Sequence, residues 1–238
     1  MKNSIVFILI VLALFSCKDV QNESKDDSNK PEQQALTMEQ DSIPGITMAK
    51  LIAYENGLKA WDEVSEINFT FNVDRGDRHF ERSFIWRPKS GDVVYMTSND
   101  TVVFNRNLEM DSLQIRADKA FINDKYWLLA PFHLVWDHGK TLSEKANQLA
   151  PISKDTLDMI TVTYGDEGGY TPGDAYDLYF GKDLIIKEWV FRKGNDSVPT
   201  MATTWEDYKD FNGLNIATMH QDSTGSFKLY FTNISVKK

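Results

Sequence analysis

From residue 66 onward the chain alternates. In "INFTFNV" apolar and polar side chains exchange at every step, which puts Ile67, Phe69, Phe71 and Val73 on one face of a strand. "DRGDR" turns the chain and "HFERSFIWR" brings it back; "GDVVYMT" and "DTVVFNR" then flank a turn at Asn99-Asp100. The same period returns in "LDMITVTYG", "DAYDLYF", "LIIKEWVFRK", "TMATTWEDYKDF", "LNIATMHQD" and "SFKLYFTNISV". Turn chemistry separates them at "TPGD", "GKD", "KGND", "FNG" and "STG". This pattern predicts about ten or eleven strands in series, with no strand–helix–strand alternation, hence an antiparallel meander. In the last strand the apolar parity shifts between Phe231 and Ile234, which predicts a bulge.

Before the strands, the period is that of a helix. Leu51, Tyr54, Leu58 and Trp61 recur at helical spacing and predict one apolar stripe over 46–63. Gly57 inside it marks close packing against a strand. A second non-strand segment, 118–149, interrupts the series midway. It contains "DKYWLLAPFHLVWDHG", whose Pro131 is expected to end or kink a short helix. So many serial strands with a single long helix imply a strongly curved sheet wrapped around something, and this segment is its natural plug or lid.

The N-terminus is of another kind. Residues 1–16 carry one lysine and an apolar run from Ile5 to Phe15, too short to span a bilayer comfortably and fitting a secretory signal peptide. The run ends in "LFSC", which resembles a bacterial lipobox, with Cys17 as the lipidated residue. Residues 17–45 comprise this cysteine and a polar, charged stretch unable to bury enough surface to order itself, a flexible tether. The folded domain is thus expected over 46–238. Cys17 is the single cysteine, so no internal disulfide or cysteine-based metal cluster is available. Removing residues 1–16 leaves 25 Lys and Arg against 35 Asp and Glu, a balance of −10. That acidity argues against nucleic acid as a partner. The expected partner is the membrane, reached through the lipid anchor, with the outer membrane as the expected location.

Candidate chemistry is sparse. His133 and His138 lack the helical i, i+4 spacing of a zinc pair, and no nucleophile elbow or phosphate loop is present. Both histidines are read as polar rim. Asp166, Glu167, Asp174 and Asp177 match no calcium loop and read as a solvated hairpin. No metal, cofactor or enzymatic activity is expected. What remains is inward apolar surface, carried by Phe69, Phe71, Phe84, Trp86, Phe104, Tyr126, Trp127, Leu128, Phe132 and Trp189. As a set they are the candidate lining of a hydrophobic cavity, because a one-layer curved sheet exposes more inward surface than one helix covers.

The serial order of "GLKAWDEVSEINFTF", "ERSFIWRPKSGDVVYMTSNDTVVFNR", "YWLLAPFHL", "DAYDLYFGKDLIIKEWVF" and "TTWEDYKDFNGLNIATMHQ" resembles the LolA/LolB-like (outer-membrane lipoprotein-sorting) superfamily. Within it, the likeness is to a lipoprotein group with a Tyr-Trp-Leu-Leu-x-Pro-Phe segment. The resemblance covers about residues 46–236. It implies an unclosed antiparallel half-barrel with an N-terminal helix and a helical insert over the concave face. It further implies a cavity for a lipid or a lipoprotein acyl chain, with a mouth arginine that falls on Arg82 or Arg87. The alternative is a structural or assembly lipoprotein whose core is filled by its own side chains.

Overall fold

The computed structural model describes residues 46–166 and 171–238; the expected signal peptide, Cys17, the tether and Glu167 lie outside the described residues. Thr47 caps helix α1 (Met48–Glu55), its hydroxyl accepting from the Lys50 N–H. The helix expected over 46–63 is in fact broken at Gly57, whose φ of +97° no helix accommodates, and continues as a 3-10 turn over Leu58–Glu63. The buried stripe of α1 is Ala49, Ile52 and Ala53, with Leu51 and Tyr54 only half-buried. A Cβ on Gly57 would stand 2.0 Å from the Gly213 carbonyl oxygen, so the close approach read from the sequence is to the tip of a hairpin.

Six strands form one antiparallel sheet: β1 (Glu66–Arg75), β2 (Arg78–Arg87), β3 (Asp92–Met96), β4 (Thr101–Asn105), β12 (Met219–Gln221) and β13 (Phe227–Lys237). Their order is β12-β13-β1-β2-β3-β4, so the last strand lies beside the first. The bulge expected in β13 is present: the register with β1 shifts opposite Asn233, whose φ is +53°. The second sheet is a meander of β5 (Lys140–Leu149), β6 (Thr156–Tyr164), β7 (Ala175–Phe180), β8 (Ile186–Arg192) and β9 (Met201–Thr204).

"TMATTWEDYKDF" and "LNIATMHQD" each divide into two strands. Their inner halves, β10 (Lys209–Phe211) and β11 (Leu214–Ile216), pair only with each other. Their outer halves, β9 and β12, meet at a seam. There Gln221 N–H donates to the Thr204 hydroxyl at 3.1 Å, and Glu206 bridges Met219. Six strands and five strands joined at this seam make an unclosed half-barrel.

Helix α2 (Ser112–Trp136) fills the trough. It starts six residues before the expected insert, at a capping box in which Asp111 accepts from the Leu113 and Gln114 N–H groups and Gln114 returns the bond. Pro131 removes one ladder hydrogen bond, and the kink appears at Leu129 (φ −129°, ψ 27°). Around it, every residue from Tyr126 to Leu134 is buried. After Trp136 the insert does not stay helical; β5 follows, a mostly exposed edge strand whose charged sequence has no alternating apolar signal.

One ion pair fixes α2 to the sheet. Arg82 on β2 donates Nε–H to Asp124 Oδ2 and Nη2–H to Oδ1, both at 2.6 Å, and the Asp124 side chain is fully buried. Burial pushes the Asp124 carboxyl up to about 6, against the opposing pull of Arg82. Replacing Arg82 by Met leaves a carboxylate buried without its cation. This is expected to destabilise the fold by about 3 kcal/mol or more, with Arg82→Met/Asp124→Leu recovering most of the loss. Urea titration of the three proteins checks it; equal midpoints for wild type and Arg82→Met would refute it.

Candidate functional site

The trough is not filled throughout. Beside the kinked helix, between the two sheets, lies a cavity of about 300 Å³. Phe71, Val73, Phe227 and Leu229 line it from β1 and β13, and Tyr176, Trp189, Phe191 and Met201 from β7, β8 and β9. Trp127 and Asn123 contribute from α2, with Arg75 and Thr171 completing the lining. The gradient is from half-buried residues (Val73, Phe191, Met201, Phe227) to a buried floor of Phe71, Trp127, Tyr176, Trp189 and Leu229. The floor is packed aromatic on aromatic: Trp127 and Trp189 ring centroids are 4.2 Å apart, and Tyr176 and Trp189 5.2 Å.

Three of the ten residues singled out from the sequence, Phe71, Trp127 and Trp189, line this cavity. Phe69, Phe84, Trp86, Phe104, Tyr126, Leu128 and Phe132 are buried in the solid core, where Phe69 stacks on Phe84 at 5.1 Å and Trp86 meets Phe121 at 5.3 Å. Six of the ten lie on strands and four, Tyr126, Trp127, Leu128 and Phe132, on α2 itself; both the core group and the cavity group draw on strands and helix. Arg82 is engaged by Asp124, and Arg87 pairs with Glu66 at 2.7 Å on the rim of the first sheet. The arginine in the cavity lining is Arg75, one strand earlier, its guanidinium 5.1 Å from the Phe227 ring centroid. Its signal was available: Arg75 continues the inward parity of Phe71 and Val73 to the strand end.

The histidines divide. His138 is exposed, but His133 is buried rather than rim, and accepts a structural task. Its Nδ1 is 2.7 Å from Asp137 Oδ1, while Asp137 Oδ2 accepts from the Tyr164 hydroxyl at 2.6 Å, tying the end of α2 to β6. Burial lowers the His133 pKa to about 4 despite the Asp137 hydrogen bond, which opposes the shift. His220, at the seam, is fully buried; its Nδ1–H donates to the Thr204 carbonyl at 3.3 Å and burial takes its pKa down to about 3. Asp177 also departs from the solvated-hairpin reading. It lies buried within β7, accepting from Thr161 at 2.7 Å and from Arg192 at 2.9 Å. Among the described residues no cluster of three or more His, Cys, Asp or Glu is arranged to hold a metal ion.

No protein-family model matches the chain, and no curated protein is similar to it. Solved structures are. A LolA superfamily protein from Nitrosomonas europaea matches over 81% of this chain and 95% of its own, at 13% identity and a TM-score of 0.47. A DUF1329 family protein from Desulfovibrio piger matches over 81% and 94%, at 12% identity and a TM-score of 0.41. A domain described as an outer membrane lipoprotein-sorting protein from Vibrio parahaemolyticus matches over 79% and 92%, at 7% identity and a TM-score of 0.44.

A histidine kept neutral by burial ties stability to pH. In the unfolded chain it takes up a proton near its ordinary pKa of about 6.5, whereas folded His220 does so only near 3. Between these values the unfolded state binds more protons, so the His220 contribution falls as pH drops below about 6.5. At pH 5 the loss is about 2 kcal/mol relative to pH 7. His220→Phe is expected to shrink the pH 7-to-5 stability difference by roughly that amount in paired urea titrations. An unchanged difference would contradict the assignment.

Proposed function

We propose that this chain is a membrane-anchored lipoprotein that holds one hydrophobic molecule, a lipid or a single acyl chain, non-covalently in the half-barrel cavity. The observation that carries the reading is the apolar cavity beside the kink of α2, walled by aromatics from both sheets and open toward Arg75 and Thr171. Its volume of about 300 Å³ lies at the lower end of small-molecule sites, which suits one chain rather than several. Transfer of an acyl chain into it is driven by loss of water from the chain and from the Trp127, Trp189 and Phe71 faces, at about 0.8 kcal/mol per buried methylene. Binding and not catalysis is the reading, since the cavity lining offers aromatic, aliphatic and rim polar groups but no nucleophile with its base.

A second reading has its own support: seven of the ten inward residues, from strands and from α2, are already buried in one packed core. On that reading the domain is an assembly element with a self-filled core. Organic extraction of the purified domain followed by mass spectrometry separates the two. The carrier reading expects a stoichiometric lipid or uptake of a fluorescent fatty acid, weakened at least fivefold in Trp127→Ala; neither retention nor uptake in the wild type would leave only the second.

Anchoring is proposed through Cys17, with export by residues 1–16 and the outer membrane as destination. Among the described residues no helix is long and apolar enough to cross a membrane. Metabolic labelling with palmitate is expected to mark the wild type and not Cys17→Ala; label retained by the variant would exclude the lipobox.

A further inference from the structure

The cavity has a wall whose far side is polar. On the β8–β9 ladder the first cavity rung is Phe191 paired with Met201, and the next is Trp189 paired with Thr203. Beyond that rung, past the end of β9, stands Trp205, its ring 5.7 Å from Trp189 and 4.4 Å from His220. His220 in turn pairs across the sheet with Leu229, another cavity residue. Trp127 sits between, 5.3 Å from the His220 ring and 4.2 Å from Trp189.

Four polar atoms in this cluster have no hydrogen-bond partner among the described residues: Trp189 Nε1, Thr203 Oγ1, Trp205 Nε1 and His220 Nε2. Their residues are all at least 97% buried. A buried polar group left without a partner is costly, so four of them within one cluster of contacting residues call for partners that the described residues do not supply. The chemistry of the four atoms specifies them. The two indoles are donors only, and the hydroxyl serves either way. His220 spends its Nδ1–H on the Thr204 carbonyl, which leaves Nε2 as an acceptor. The complementary group accepts from two N–H bonds and donates one O–H. An alcohol does this; a hydrocarbon end does not. An ionised carboxylate does not either, since it has no proton to donate and a charge buried unpaired is expensive.

We propose that the cavity extends past Trp127 to this polar end and selects an uncharged ligand that carries a hydroxyl at its innermost terminus, a long-chain alcohol in chemical class. The inference rests on the binding reading above and adds an orientation: hydroxyl inward, chain along the aromatic walls, far end at Arg75 and Thr171. Trp127 is the residue that moves aside or packs along the chain. Trp189 belongs to both parts: it lines the cavity, its ring lies 5.7 Å from Trp205, and its Nε1 has no partner among the described residues.

The test uses 1-octanol and n-octane, probes of equal chain length, with the folded wild-type domain and ¹⁵N-labelled indole groups. The expected result is that 1-octanol moves the Trp205 and Trp189 indole N–H resonances downfield, as a new hydrogen bond does, while n-octane leaves that of Trp205 in place. In binding titrations, Trp205→Phe and, separately, Thr203→Val are expected to weaken 1-octanol at least fivefold more than they weaken n-octane. If both probes bind but shift the same resonances alike, and the variants weaken both by the same factor, the orphan groups are served by water alone. The orientation is then overturned while the cavity reading stands. If the wild type binds neither probe, both fall.

Discussion

An open antiparallel sheet has one demand that its own hydrogen bonds cannot meet: its concave face must be covered. Here one helix does nearly all of it, and the Arg82–Asp124 pair decides where that helix lies. The pair is bidentate and its carboxylate is wholly inside, so α2 cannot slide along the trough without leaving a buried charge uncompensated. The kink at Leu129 then bends the C-terminal limb toward β6, where the Asp137–His133–Tyr164 network receives it. A straight helix pinned at Asp124 would not follow the curve of the sheet. The gap left beside the bend is the cavity.

The same economy shapes the sheet's edges. β5 closes one end as a charged, exposed strand, and β4 at the other end has its Val103 carbonyl bonded by the Gln114 side chain from the first turn of α2. Between the two sheets, the seam at β9 and β12 is joined by side chains and a single bridge rather than by a full ladder. It is at this seam that Trp205 Nε1, Thr203 Oγ1 and His220 Nε2 lack hydrogen-bond partners among the described residues. Cavity and unpaired groups thus share one origin, the mismatch between a curved sheet and a single covering helix.

Much of this was legible in the chain itself. Period-two alternation in "INFTFNV" identifies the inner face of β1, the parity break before Ile234 identifies the bulge at Asn233, and Pro131 identifies the kink. Other elements left weaker traces. β5 carries no alternation because, as an edge strand, it buries almost nothing. The start of α2 is written in Asp111 and Gln114, a capping box that no continuous apolar run follows. The division of "TMATTWEDYKDF" into β9 and β10 has no local signal. It follows from the β10–β11 hairpin leaving the sheet to reach Gly57.

The sequence by itself determined the architecture class, the inward faces of the strands and the interruption of the strand series by a kinked helix, because periodicity and turn chemistry are local properties of neighbouring residues. Only the tertiary structure decided which inward aromatics are core and which line a cavity. Phe69 and Phe71 carry the same local signature on one face of β1, yet Phe69 packs into the core against Phe84 and Phe71 lines the cavity, a difference set by residues far apart in the chain. The roles of the charges were likewise settled in space: along the chain Arg75, Arg82 and Arg87 look alike, but Arg82 meets the buried Asp124 of α2, Arg87 meets Glu66 at the sheet rim, and Arg75 lines the cavity.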